Sequence, residues 1–317
     1  AVFFVSNTLL IFSSTLARVD ETSEQGFDEN YFLNRLIDKP MVSKPDIYLL
    51  TYDSYVANET MLNYGIDNSY QESYLEQKGF KLYGNIYSVS SFTVGSMARM
   101  LDASVVKRVS ALSGNSRVHN ALRSQGYSLA GVHKSSDFWS GRLGAVPNLD
   151  YFYPDGALVP FSDHEAISLS ILQGGFRFDA PVNFSELSNA DFIAKKRDFM
   201  RSNERPKFMY THTGPSHSQN SGKCRVNETE LFEARLVESN KEMRADIETI
   251  EKNNPDALVI INSDHGPFLT GNCYNLADFT PKEEVTRHDV QDRFGAFLAI
   301  KWPESLEVLD KNIAVLQ

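Results

Sequence analysis

The chain has 317 residues, 42% hydrophobic and 23% charged, an ordinary globular composition with length enough to bury the core of one large domain or two small ones. Its net charge of −10 leaves no basic footprint and excludes nucleic acid as the main partner. Acidity is compatible with an anionic substrate, because a bound divalent cation reverses the local field.

Residues 1–16 are apolar apart from small hydroxyls and Asn7, yet they fall short of the roughly 20 residues that span a bilayer. We read them as the end of a membrane helix, with a signal-peptide core or a packed helix as alternatives. The flank over 18–29 is acidic with a single Arg, and flanks poor in Lys and Arg lie on the non-cytoplasmic side. The expectation is a membrane-anchored chain whose main domain is periplasmic or extracellular. Residues 17–44 read as a polar linker with one short helix near 29–37.

Pro45 introduces an apolar strand over 46–53 that ends in an acid, Asp53. A helix over 68–78 is stopped by Gly79. Residues 80–87 alternate like a strand, and a polar turn at 88–91 leads into a helix from Thr93 to about Ala103. A helix over 115–125, closed by Gly126, precedes a strand over 127–133. The stretch 135–160, rich in Gly, Pro, Asp and aromatics, reads as an irregular loop. Its Trp139 and Arg142, with Lys134 beside it, either shape a substrate pocket or serve as packing and surface charge.

Helices are expected over 163–173 and 185–200, and Pro206 then leads into a strand over 207–212. The charged run 229–253 reads as a long helix with a solvated face. Pro255 ends it and introduces a β-branched run over 257–262, a pattern that marks a strand buried on both faces. The last strand spans 296–302, with Pro303 and a short helix after it. Strands alternating with helices imply an α/β fold with a largely parallel central sheet covered on both faces. There is no internal repeat, no Gly-rich phosphate loop and no second boundary, so residues 45–317 are expected to form one domain.

Cys224 and Cys273 sit in Gly/Asn/Ser-rich loops. In an oxidising compartment a bridge between them would contribute about 4 kcal/mol in the chain-entropy model. Two unpaired thiols is the other reading.

The chemistry gathers at strand ends, where open α/β sheets place their sites. Ser263-Asp264-His265-Gly266 closes the buried run, and a carboxylate beside an imidazole can grip one cation. Asp53 ends the first strand, and His212 and His217 flank Thr-Gly-Pro-Ser after another. Thr93 opens a helix, where backbone N–H groups can hold an anion. A metal beside its hydroxyl would lower the hydroxyl pKa and polarise a phosphoryl oxygen. Each residue also has a plainer reading. Asp53 and Thr93 are good caps, although Ser90 and Ser91 were available to cap that helix. We read His212 as a core histidine outside the site, and assign no role to His119, His133 or His164.

In this order of parts, over about residues 45–303, the chain resembles the alkaline phosphatase superfamily. It is most similar to the sulfatase-like branch that includes phosphoglycerol transferases, phosphoethanolamine transferases and lipoteichoic acid synthases. The resemblance implies an α/β/α sandwich and a catalytic domain over 45–317. It implies that Asp53, Thr93, Asp264 and His265 bind a divalent cation (Mn, Zn, Mg or Ca), with a second, weaker metal site open. Thr93 would also be the nucleophile, with Ser96 three residues on as in the transferase branch. His217 would bind the substrate phosphate or protonate the leaving group, and His288 and Arg293 would contact the transferred group.

The chain departs from the family in places. Sulfatases need Cys or Ser, then Pro or Ala two residues on and Arg four on; here those positions hold Thr93, Gly95 and Met97. The Asp-x-x-x-His pair of two-zinc phosphatases is absent before Asp264, and Glu284-x-x-x-His288 comes after it. The first acid is Asp where the transferase branch often has Glu, which leaves the metal's identity open.

The expected activity is therefore a metal-dependent phosphotransferase or phosphodiester hydrolase of the cell envelope. It would act through a phospho-threonine on a phospholipid headgroup or similar phosphodiester, with a hydroxyl acceptor or water. The alternatives are a sulfatase-like hydrolase of sulfate or phosphonate esters, and a non-catalytic envelope scaffold of the same fold.

Overall fold

The computed structural model describes residues 40–134, 138, 147–154, 188–216, 227–269 and 285–306. The expected membrane segment, nearly all of the linker, the helix over 163–173, His217 and both cysteines lie outside them.

The chain runs β1 (Ile47–Tyr52), α1 (Asn58–Leu62), α2 (Ser69–Gln77), β2 (Lys81–Leu82), α3 (Thr93–Asp102), a 3-10 turn (Val109–Ser113) and α4 (Arg117–Ser124). It continues through β3 (Ser128–His133), β4 (Tyr151–Tyr153), α5 (Asn189–Arg201), β5 (Lys207–Thr213), α6 (Glu228–Asn253) and β6 (Leu258–Asn262). It ends with α7 (Arg287–Phe294), β7 (Leu298–Lys301) and a 3-10 turn (Glu304–Leu306). The seven strands form one sheet in the order β2-β7-β6-β1-β5-β3-β4. The run β6-β1-β5-β3-β4 is parallel, and β7 pairs antiparallel with both β6 and β2.

Every residue of β1 is buried. Side chains alternate between the two faces of a strand. Tyr48, Leu50 and Tyr52 enter one core with Phe192, Phe199, Phe232, Met243 and Ile247 from α5 and α6. Ile47 and Leu49 enter the other, with Met97, Leu101 and Leu122 from α3 and α4. Two cores on opposite faces of a mostly parallel sheet make the expected α/β/α sandwich.

The differences from the sequence reading have local causes. Alternation over 80–87 yields only the two-residue β2, because pairing with the short β7 limits its length. β4 forms inside the stretch read as irregular, where Tyr151-Phe152-Tyr153 find a parallel neighbour in β3. The charged run 228–253 has one buried stripe as well as a solvated face, since Phe232, Leu236, Met243, Ile247 and Ile250 recur at helical spacing.

That stripe also buries Asp246, which meets Lys196 of α5 at 2.5 Å and Arg197 at 2.8 Å. Lys196 is fully buried and pairs with Glu242 as well. Burial alone would lower the Lys196 pKa, but the charges of Asp246 and Glu242 outweigh it and raise the pKa. Lys207 of β5 closes the far end of α5 by donating to the carbonyls of Phe199, Met200 and Ser202. A cation there satisfies carbonyls that have no helical partner. Burial pushes this ammonium's pKa down to about 8.

Removing one partner of a buried pair strands the other charge. Lys196→Met is therefore expected to cost about 3 kcal/mol of unfolding free energy. The check is urea unfolding, and a variant as stable as the parent would show that Arg197 alone neutralises Asp246.

Candidate metal centre and nucleophile

The sheet order places the carboxyl ends of β6, β1 and β5 side by side. Their register aligns Asn262, Thr51 and His212 in one row, and His133 of β3 continues it. Partners in such a row share a face, and Thr51 Oγ1 donates to Asn262 Oδ1 at 2.9 Å. Two to three residues beyond this row come Asp53 after β1 and Asp264-His265 after β6. Gly214 permits a close approach just past β5. Its φ is +145°, and a Cβ there would lie 2.4 Å from the Asp53 nitrogen.

Thr93 is the first residue of α3, and Phe92 holds the N-cap position in an extended conformation. No side-chain hydrogen bond caps this terminus. The Thr93 hydroxyl is therefore not used as the helix cap. The loop before it is fixed instead by serines: Ser96 Oγ donates to the Ser90 carbonyl at 2.9 Å, and the Ser88 and Ser96 hydroxyls lie 2.6 Å apart.

His265 Nε2 is the hub of the cluster. It lies 3.3 Å from Thr93 Oγ1, 3.5 Å from Asp53 Oδ1 and 3.5 Å from Asp264 Oδ2. One ligand atom from each of Asp53, Asp264 and His265 falls within 4.8 Å of the others. Four ligands at about 2.0–2.2 Å around a tetrahedral cation stand roughly 3.3–3.6 Å apart. The distances from Nε2 match those edges, and two carboxylates, an imidazole and a hydroxyl are donors that suit Zn or a harder divalent ion. The residues fit a divalent cation.

Asp264 is buried, which by itself raises its pKa. The neighbouring His265 and His212, with hydrogen bonds from His212 and Thr93, outweigh burial and hold the carboxyl well below the usual range. His212 Nε2 stands 3.1 Å from Asp264 Oδ2. Burial lowers the His212 pKa, but the charge of Asp264, the hydrogen bond to it and the charge of Asp53 together outweigh burial, and the net shift is upward. Phe138 packs its ring 4.9 Å from that of His212 and stacks on His133 at 4.1 Å.

The His265 loop is braced by α7. The Gly266 and Phe268 amides donate to the carbonyls of Arg293 and Asp292. Leu269 N–H and Tyr64 Oη–H both donate to Asp292 Oδ1, at 2.7 and 2.8 Å. The His265 ring stacks on Phe268 at 5.0 Å, and the Arg293 guanidinium sits 4.4 Å from the centre of the same Phe268 ring. Arg293 thus reaches the cluster through Phe268. His288 of α7 packs 5.0 Å from Tyr64, and no contact with the four-residue cluster is seen among the described residues.

Asp53, Thr93, Asp264 and His265 therefore converge. His212 adjoins them although the sequence reading left it out. Its signal was the parallel register, which no single strand carries. Ser54 was missed too; its hydroxyl donates to Asp53 Oδ1 at 2.9 Å.

The family described as Sulfatase matches residues 47–299. No curated protein matches the sequence. Among solved structures, the integral membrane protein lipooligosaccharide phosphoethanolamine transferase A from Neisseria meningitidis is 15% identical with a TM-score of 0.52, over 85% of this chain and 50% of that one. The chain thus spans half the length of that protein. The C-terminal periplasmic domain of phosphoethanolamine transferase EptC from Campylobacter jejuni is 14% identical with a TM-score of 0.50, over 84% and 82%. The corresponding domain of EptC from Escherichia coli, in complex with Zn, is 10% identical with a TM-score of 0.50, over 84% and 75%. Identities this low establish a shared fold.

A Cβ at position 266 would lie 2.2 Å from the Asp292 carbonyl oxygen. Gly266→Ala must push the His265 loop off α7, at an expected cost of about 1–3 kcal/mol. An unchanged unfolding midpoint would contradict this packing.

Proposed function

This chain belongs to the sulfatase family, and on that premise we propose that it is a divalent-cation-dependent phosphotransferase or phosphodiester hydrolase with Thr93 as nucleophile. The observation that carries the reading is the short approach of Thr93 Oγ1 to the cluster hub, 3.3 Å from His265 Nε2. A nucleophile needs an activating neighbour at about this distance.

Asp53, Asp264, His265 and Thr93 would hold the cation. Bound there, it supplies a Lewis acid that lowers the hydroxyl pKa and stabilises charge on the phosphoryl oxygens. Thr93 Oγ, its proton shed to solvent, attacks phosphorus, the ester bond to the leaving group breaks, and a phospho-threonine forms. His217 gives the departing oxygen its proton. A hydroxyl acceptor or water then returns a proton to His217 and attacks phosphorus in line, and the bond to Thr93 Oγ breaks, leaving Thr93 to regain its proton from solvent. His212 keeps Asp264 ionised throughout by donating from Nε2.

The donor we favour is a phospholipid headgroup or a similar phosphodiester. The fold shared with phosphoethanolamine transferases supports it. Thr93, Gly95 and Met97 occupy the positions where sulfatases need Cys or Ser, Pro or Ala, and Arg, which argues against sulfate esters. The zinc in the Escherichia coli relative supports a divalent ion. The apolar residues 1–16 support anchoring at a membrane, with the catalytic domain periplasmic or extracellular. Among the described residues, no helix is long and apolar enough to cross one.

Three outcomes are expected. Thr93→Ala loses about a thousandfold or more in turnover of an aryl phosphodiester while still binding cation, and aryl sulfate is not hydrolysed by the parent. Retained turnover in the variant would remove the nucleophile assignment. Chelation with EDTA abolishes turnover and lowers the melting temperature, and adding back Zn²⁺ or Mn²⁺ restores both, since a ligand bound only by the native state stabilises it.

A further inference from the structure

We infer that Ser54 is the positioning residue of this site: its hydroxyl sets the mutual geometry of Asp53 and His265 while its backbone orients Asp264. The inference rests on reading the cluster as a cation site.

Ser54 is wholly buried in the turn that follows β1. It touches all three ligand-type residues. Its N–H donates to Asp264 Oδ1 at 3.2 Å, its Oγ–H donates to Asp53 Oδ1 at 2.9 Å, and its Oγ stands 3.3 Å from His265 Nδ1. These contacts constrain one another. With its proton committed to the carboxylate, Oγ offers a lone pair to Nδ1. The Gly266 carbonyl offers another acceptor to the same nitrogen at 3.0 Å. A proton on Nδ1 serves both of these acceptors. Nε2 then keeps its lone pair and directs it at Thr93 and the two acids. Outer hydrogen bonds of this kind fix the tautomer and orientation of a ligating histidine.

The backbone strengthens the argument. Ser54 has φ 62°, in the left-handed region that non-glycine residues rarely occupy. Glycine would sit there without strain. A serine held in that conformation keeps the same N–H aimed at Asp264 and adds a hydroxyl that glycine lacks. This makes a clean test possible. Ser54→Gly suits the backbone and preserves the bond to Asp264, so it removes the hydroxyl alone. Ser54→Ala removes the hydroxyl and keeps the backbone strain.

The experiment measures Zn²⁺ affinity of the full chain by competition with a chromogenic chelator, for the parent and both variants. It is accompanied by metal-free melting curves and the ¹⁵N shifts of the His265 ring. Both variants are expected to bind Zn²⁺ about 10–100-fold more weakly. Ser54→Gly should melt like the parent without metal, and the ¹⁵N shifts of its His265 ring should move from those of the parent. Parent-like affinity in Ser54→Gly overturns the inference, whether or not Ser54→Ala is impaired, because the conformation rather than the hydroxyl would then matter. A parent chain that binds neither Zn²⁺ nor Mn²⁺ overturns the proposed function together with this inference. Tight parental binding with an unimpaired glycine variant overturns this inference alone.

Discussion

A carboxylate with 2% of its surface exposed is the constraint on which the site depends. Asp264 has left water, and burying a charge is costly unless charge and hydrogen bonds replace the solvent. Here the replacement comes from three directions: His212 from β5, His265 beside it, and the Ser54 amide from the end of β1. Each partner needs its strand in register. The central parallel strands are thus held by the same contacts that shape the centre, and the local electrostatics cannot be separated from the sheet topology.

The opposite core carries a second buried acid with a different solution. Asp246 is neutralised by Lys196 and Arg197, two consecutive residues of α5. Those ammonium and guanidinium groups satisfy the carboxylate fully and leave it inert. Asp264 has imidazoles instead. An imidazole can shed its proton and present a lone pair, which an ammonium at neutral pH does not. The pairing partner, rather than the acid, distinguishes these two buried carboxylates.

Much of this was legible in the chain. The β-branched run over 257–262 and the strand ending at Asp53 marked buried strands, because each is a local pattern read by composition alone. Asp53, Asp264, His265 and Thr93 stood out because each follows or opens a regular element, where side chains project into a cleft. His212 did not, because a histidine within a strand reads as core until the neighbouring strands are known to be parallel and level with it. Ser54 was illegible for a related reason. Its importance lies in a left-handed turn and three contacts, two of them some 210 positions away in sequence. β4 and the buried stripe of α6 show the same limit: an aromatic triplet or a charged run acquires its state from what packs against it.

The bracing of the His265 loop has an architectural consequence. Leu269 and Asp292 are hydrogen-bonded across 23 positions, so the chain leaves the site and returns to it through one clasp. Whatever occupies the interval, its two ends are already joined, and the entropy of closing it grows only slowly with length. The clasp thus holds the His265 loop against α7 whatever length of chain runs between its two ends.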